Sequence, residues 1–128
     1  MESILTSIKK LLGIADEYTH FDSDIIIFVN TVFSTLSQLG VGPVGGFIIT
    51  DEYALWSDYT DNSEQLALVK TYVFMKTKMM FDPPVSSAVL SAMERQISEL
   101  EWRLHIISDT TGNSGSDEVG TIIVEWGE

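Results

Sequence analysis

The 128-residue sequence contains no cysteine, which excludes disulfide bonds, thiolate zinc sites, iron–sulfur clusters and cysteine nucleophiles. It also lacks long apolar runs. The longest strictly apolar stretch, from Ile25 to Val29, is far shorter than the roughly 20 residues of a membrane-spanning helix, so we expect no membrane association. The N-terminus has no basic start followed by a long apolar core, which predicts a cytosolic protein without a secretory signal.

Positive charge is scarce and unevenly distributed: seven Lys and Arg face 19 Asp and Glu, a net charge of -12. The residues between Lys10 and Lys70 include no Lys or Arg, and neither do those after Arg103. Such a surface repels phosphate backbones and so disfavours ordinary nucleic-acid binding. The charge is compatible with simple solubility, or with a protein that lies beside DNA without binding it.

Four segments carry apolar residues at helical spacing. The first, from Ser3 to Leu12, ends at Gly13 and is expected to turn Lys9 and Lys10 to solvent. The others are a helix capped by Asp22 or Ser23 that ends before Gly40, a helix from Asp61 to about Phe81 with Glu64 as capping-box partner, and a helix capped by Ser86 or Ser87. Asp82-Pro83-Pro84 separates the last two helices.

The last helix has the clearest pattern in the chain. Its apolar residues recur every three or four positions, which predicts a core seam formed by Leu90, Met93, Ile97, Leu100, Leu104 and Ile107. Trp102 and Ile106 lie off this seam, one turn apart, so we expect them to contact another surface of the chain or a second copy.

The connection from Gly40 to Asn62 is long and unusually apolar. It predicts a central loop or a short β-hairpin, with Phe47 to Thr50 as a possible strand. Its aromatic residues, Trp56 and Tyr59 among them, either cover the core of the domain or dock a neighbouring chain, and the sequence leaves both interpretations open.

The C-terminal residues differ in composition from the rest. Residues 109–117 have the composition of a flexible linker, and Thr121 to Trp126 are typical of a strand. We therefore predict a mainly α fold with a four-helix bundle-like domain over residues 1–108, followed by a linker and strand-like tail over residues 109–128. The predicted strand pairs either with the Phe47 to Thr50 segment or with a neighbouring subunit by strand addition, and Ile122, Val124 and Trp126 are its candidate contacts with that subunit.

No catalytic, metal-binding or cofactor-binding motif is recognisable. His20 and His105 lack a second ligand at helical spacing, and neither a phosphate-binding glycine loop nor a nucleophile elbow is present. The carboxylates of residues 51–61 and 109–118 match no EF-hand. We expect no enzyme, no cofactor and no metal.

The order of elements resembles the small head–tail connector proteins (head-completion or portal-adaptor proteins) of long-tailed bacteriophages and prophages. The resemblance covers about residues 1–107 and lies in four blocks: Ile8-Lys9-Lys10-Leu11-Leu12-Gly13-Ile14, Phe21-Asp22-Ser23-Asp24-Ile25-Ile26, Lys70-Thr71-Tyr72-Val73 leading to Phe81-Asp82-Pro83-Pro84, and Met93 to Leu104.

The resemblance implies a ring of identical subunits below the portal protein, made in the host cytoplasm and carried in the virion at the head–tail junction. Such a ring extends the DNA channel and docks the next head-completion or tail protein, while DNA passes nearby without specific binding. The alternative from the residues alone is a small acidic interaction module without catalytic activity.

Overall fold

The structure, a computed structural model, describes residues 2–112, with side chains over residues 2–108. The described part is mainly helical, as predicted, and consists of α1 (Ile4–Leu12), α2 (Asp22–Gln38), α3 (Trp56–Tyr59), α4 (Ser63–Phe81) and α5 (Ser87–Gly112). It therefore contains one short helix more than the four expected. Within these residues, the only β-type pairing is an isolated antiparallel bridge between Ser3 and Leu55.

Local signals in the sequence set the ends of α1 and α5. The Ser3 side chain accepts a hydrogen bond from Thr6 N at 3.2 Å, and Gly13 ends α1 in the left-handed conformation with φ 83°. The predicted cap at Ser86 is confirmed, since its Oγ accepts from Val89 N at 3.3 Å.

Two predicted caps are wrong. α4 begins at Ser63, because Asn62 and not Asp61 accepts a hydrogen bond from the third helical residue, Gln65 N, at 3.0 Å. Neither candidate caps α2. That helix starts at Asp22 itself and has no side-chain cap, so acidic groups in its first turn, Asp22 and Asp24, act on the helix dipole instead.

α4 lies at the centre of the bundle and contacts α1, α2 and α5. Its Val69, Tyr72 and Val73 are fully buried. The predicted seam of α5 supplies the facing side chains: Ile97, Leu100 and Leu104 are buried, and Leu90, Met93 and Ile107 are partly buried towards the two ends of the helix. Such a decrease in burial towards the ends is expected for a long helix that extends beyond the helices it packs against.

The connection between α2 and α3 is a loop, and the strand expected at Phe47 to Thr50 is absent from this described segment. A side chain of α2 replaces the partner strand: the Ile49 N–H donates to Asn30 Oδ1 at 2.8 Å, and Asn30 Nδ2 donates to the Ile49 carbonyl at 2.9 Å. Because the Asn30 amide satisfies both backbone groups, Ile49 is buried without a β-ladder.

α5 continues through residues 109–111 to Gly112, into the segment expected to be a linker, and the division of the chain after residue 108 stays a prediction. None of residues 109–111 is glycine or proline, so none of them is a strong helix breaker. Gly112 is the first strong helix breaker after Pro84. The predicted strand, with Ile122, Val124 and Trp126, lies outside the described residues. Among the described helices, none has the length and apolar character needed to cross a membrane.

Candidate interaction surfaces

The outer face of α5 is the face turned away from α4. Trp102 lies on it with 64% of its surface exposed, and Ile106, one turn further, is 42% exposed. The adjacent seam residues Leu100 and Leu104 are buried against the bundle. The prediction that Trp102 and Ile106 lie off the seam is therefore confirmed, while their role as subunit contacts stays a prediction.

Trp56 and Tyr59 belong to the core of the protomer, which corrects their assignment as candidate interface residues. They are 2% and 4% exposed. Trp56 Nε1 donates to the buried Ser7 Oγ at 2.8 Å, and the Tyr59 ring lies 5.1 Å from Phe33 and 5.2 Å from Phe47 between ring centroids. Of the two interpretations of these aromatic residues, the structure favours coverage of the domain's own core.

The Tyr59 hydroxyl lies directly beneath the glycine-rich turn. A Cβ added to Gly42 would come within 2.6 Å of Tyr59 Oη, and the φ of Gly42 is 95°, so this position requires glycine. Burial raises the pKa of Tyr59 above its usual value. The hydroxyl is buried without a hydrogen-bond partner among the described residues.

A buried lysine at the start of the chain was not predicted. Lys9 is 2% exposed, its Nζ donates to the Asp16 carbonyl at 2.9 Å, and it lies 2.9 Å from Asp22 Oδ1. The second contact is an ion pair without hydrogen-bond geometry, since Asp22 Oδ1 has no hydrogen-bond partner among the described residues. The expectation that Lys9 faces solvent is wrong because Lys9, four residues after Leu5, falls inside the apolar stripe.

A cleft of about 390 Å³ is lined by residues of α2, α4 and α5. Val32, Met79 and Ile97 supply apolar walls, and Glu101 lies at its polar side. Tyr72 Oη donates to Glu101 Oε2 at 2.7 Å. Burial, and then the carboxylate that accepts this hydrogen bond, raise the pKa of Tyr72 above its usual value.

The charged side chains Lys76 and Glu101 of this cleft interact with other side chains of the fold. Lys76 Nζ lies 4.0 Å from Glu101 Oε2, and Glu101 already accepts the hydrogen bond from Tyr72. Over the part of the chain that the structure describes, no three His, Asp or Glu side chains group as metal ligands.

The segment Asp51–Tyr53 forms a second exposed surface, and it is acidic. Tyr53 is 75% exposed, and both Asp51 and Glu52 face solvent. Backbone contacts hold the segment near α1: Ser3 Oγ donates to the Glu52 carbonyl at 2.6 Å, and Ile4 N donates to the Ala54 carbonyl at 3.0 Å. Nothing in the sequence pattern indicated that residues so far apart meet here.

Comparison with protein families finds that a family model described as "Phage connector protein" matches residues 4–111. The matched range includes α1 to α4, all of α5 except its last residue, and the surfaces above. Comparison with curated proteins and with solved structures finds no match.

Proposed function

Because the chain belongs to the phage connector protein family, a family of structural virion proteins, we propose that identical copies of it form a ring beneath the portal protein at the head–tail junction. The ring extends the DNA channel and docks a head-completion or tail protein. In this role the protein acts by shape and contact and catalyses no reaction.

The exposed Trp102 carries this proposal. An indole ring left 64% exposed on a helix whose opposite face packs Ile97, Leu100 and Leu104 into the core costs free energy in an isolated protomer. Tryptophan is among the residues that contribute most to binding energy at protein interfaces. A neighbouring subunit that covers Trp102 recovers that free energy, and repetition of the contact closes a ring when the two surfaces differ.

The charge of the chain supports a position beside DNA. No Lys or Arg occurs among residues 11–69, so this part of the surface offers no cations to phosphate groups. DNA binding through counterion release requires such cations. A ring with this composition lets DNA pass without holding it, and the protein, made in the host cytoplasm, becomes part of the virion.

The test is assembly of the purified chain, alone and with the portal protein of the same phage, followed by sedimentation velocity and electron microscopy. We expect rings or portal-bound copies for the wild type and weaker assembly for Trp102→Ala. Ile27→Ala is the matched control, because Ile27 is 61% exposed on α2, away from the outer face of α5. A wild-type chain that stays monomeric and ignores the portal would overturn the proposal.

A second candidate function is a small acidic module that binds a basic protein. The same stretch without Lys or Arg favours it, since a uniform acidic surface attracts a basic partner. This function predicts salt-sensitive binding of one basic protein with no self-assembly, and loss of Trp102 leaves that binding unchanged.

A further inference from the structure

The outer face of α5 carries both arginines of the chain. Arg95 lies two turns before Trp102 and shares its face of the helix, and Arg103 follows Trp102 about 100° further around, at the edge of that face. All three side chains are exposed. Arg95 is exposed and forms no ion pair with a described residue, and Arg103 Nη1 reaches only Glu99 Oε2, at 4.0 Å. This face therefore combines an exposed indole ring with two guanidinium groups that have unused hydrogen-bond donors.

The segment Asp51–Tyr53 has the complementary chemistry. Neither Asp51 nor Glu52 forms an ion pair with a described residue, and the nearest cation in the sequence before them is Lys10. Tyr53 adds an exposed aromatic ring between these carboxylates and α3. The hydrogen bonds to Ser3 and Ile4 fix the backbone of the segment, so little ordering is required when it binds.

We propose that the outer face of α5 in one copy docks on the Asp51–Tyr53 segment of a second copy. The inference rests on the proposed ring and names the surfaces that form it. Two observations select a second copy as the occupant: opposite charge on the two surfaces, and an exposed aromatic ring on each. The surfaces belong to different elements, because α5 packs on α4 whereas the segment is attached to α1, so the contact is heterologous and repeats from copy to copy.

Charge reversal on each surface tests the contact. Arg95→Glu with Arg103→Glu places like charges opposite each other and is expected to weaken association of the copies by about tenfold or more. Asp51→Lys with Glu52→Lys is expected to do the same from the other side. The chain that carries all four substitutions restores opposite charges and is expected to regain association.

Lys10→Glu is the matched control, because Lys10 is exposed and lies on neither surface, and it should leave association near the wild-type value. Thermal unfolding of each variant verifies that the domain still folds, and Glu52→Lys alone replaces the double variant if loss of the Asp51 contact to Tyr53 N unfolds the loop.

The outcomes separate the two proposals. If the wild type assembles, alone or on the portal, and the two arginine substitutions have no more effect than Lys10→Glu, the docking contact is wrong and the ring stands. Weakened association that the four-fold variant does not recover also overturns the contact. If the wild type neither self-associates nor joins the portal, the ring itself is wrong.

Discussion

At the scale of single residues, Tyr59 and Tyr72 are both buried, but only one of their hydroxyl groups has a hydrogen-bond partner among the described residues. Tyr72 donates to Glu101 at 2.7 Å, whereas the Tyr59 hydroxyl is buried with no partner among the described residues. We expect Tyr72→Phe to lower the free energy of unfolding by about 1 kcal/mol, and Tyr59→Phe to leave it unchanged or raise it. Urea unfolding of both variants measures the difference, and equal losses would contradict the assigned hydrogen bonding.

The same two hydroxyls make stability depend on alkaline pH. Both pKa values are raised in the folded state above the unfolded value of about 10, Tyr59 by burial and Tyr72 by burial and then Glu101. The stability that they contribute is fully present below about pH 10, and it is lost as the pH rises through the folded pKa values, because the unfolded chain loses its protons first.

Urea unfolding at a series of alkaline pH values should therefore show a decline in stability that is shallower in the Tyr59→Phe/Tyr72→Phe chain. Tyr53→Phe serves as the control, since Tyr53 is 75% exposed and its removal leaves both buried hydroxyls in place. A decline of the same slope in all three chains would place its origin elsewhere.

Lys9 is the residue that sequence reasoning placed least well. Its neighbour Lys10 does face solvent, and composition alone does not distinguish two adjacent lysines. The position of Lys9 in the helical repeat does predict its burial, because Leu5, Ile8, Lys9 and Leu12 are spaced i, i+3, i+4, i+7 and share one face of the helix. The partners of Lys9, the Asp16 carbonyl and Asp22, lie after a turn whose path the sequence does not specify.

Replacement of Lys9 by methionine is expected to cost about 3 kcal/mol of stability, because it leaves Asp22, itself only 19% exposed, without its counter-charge. Lys10→Met is the matched control and should change stability by less than about 0.5 kcal/mol. Thermal or urea unfolding gives both values. A near-neutral Lys9→Met would mean that the ion pair contributes nothing beyond the packing of the lysine stem.

At the scale of elements, the sequence predicted helices well where periodicity and breakers agreed. Gly13, Pro83 and Pro84 limit their helices as expected, and Ile97, Leu100 and Leu104 of the α5 seam are buried in the core. The sequence failed to predict structure that tertiary contacts decide: in the strand-like run Phe47–Thr50, the backbone of Ile49 bonds to the Asn30 side chain, and no strand forms. α3 spans only four residues, too few for a periodic signal, and is stabilised by burial of Trp56 and by Asp58 Oδ2 accepting from Leu55 N at 2.9 Å.

The two faces of α5 give a prediction that depends on which side of one helix is changed. Leu100→Asp buries an unpaired carboxylate against α4 and is expected to unfold the domain. Trp102→Asp introduces the same charge two residues away on the exposed face and should leave the helical content unchanged. Circular dichroism distinguishes the outcomes, and unfolding by Trp102→Asp would place that side chain in the core.

At the scale of the whole molecule, the distribution of charge is the feature that the sequence states most directly. It predicted a surface depleted of cations, but it did not reveal which acidic segment is held rigidly, because the bonds from Ser3 and Ile4 to residues 52–54 join distant parts of the chain. The exposed face of α5 is likewise defined by the folded arrangement, which buries Leu100 and Leu104 and leaves Trp102 exposed.

If arginines and carboxylates meet between copies, association should weaken as salt is added. The Debye length falls from about 30 Å at about 0.01 M salt to about 3 Å at about 1 M, which screens these attractions. Sedimentation velocity across this range measures the effect in the wild type. The variant with Arg95→Glu and Arg103→Glu should respond less or in the opposite direction, and a wild-type association that salt strengthens would point to a purely apolar contact.

The hydrogen bonds that join the start of α1 to residues 52–56 bear on how the domain folds during synthesis. The ribosome delivers α1 first, yet α2, the loop that bonds to Ser3 and Ile4, and the central α4 all emerge after it. Until α4 has left the exit tunnel, α1 lacks one of the two long helices that it contacts in the folded domain, so Ile4, Leu5 and Ile8 are incompletely covered. Nascent chains arrested before residue 81 should therefore bind chaperones through this first helix, and release from them should follow synthesis of the helix that covers it.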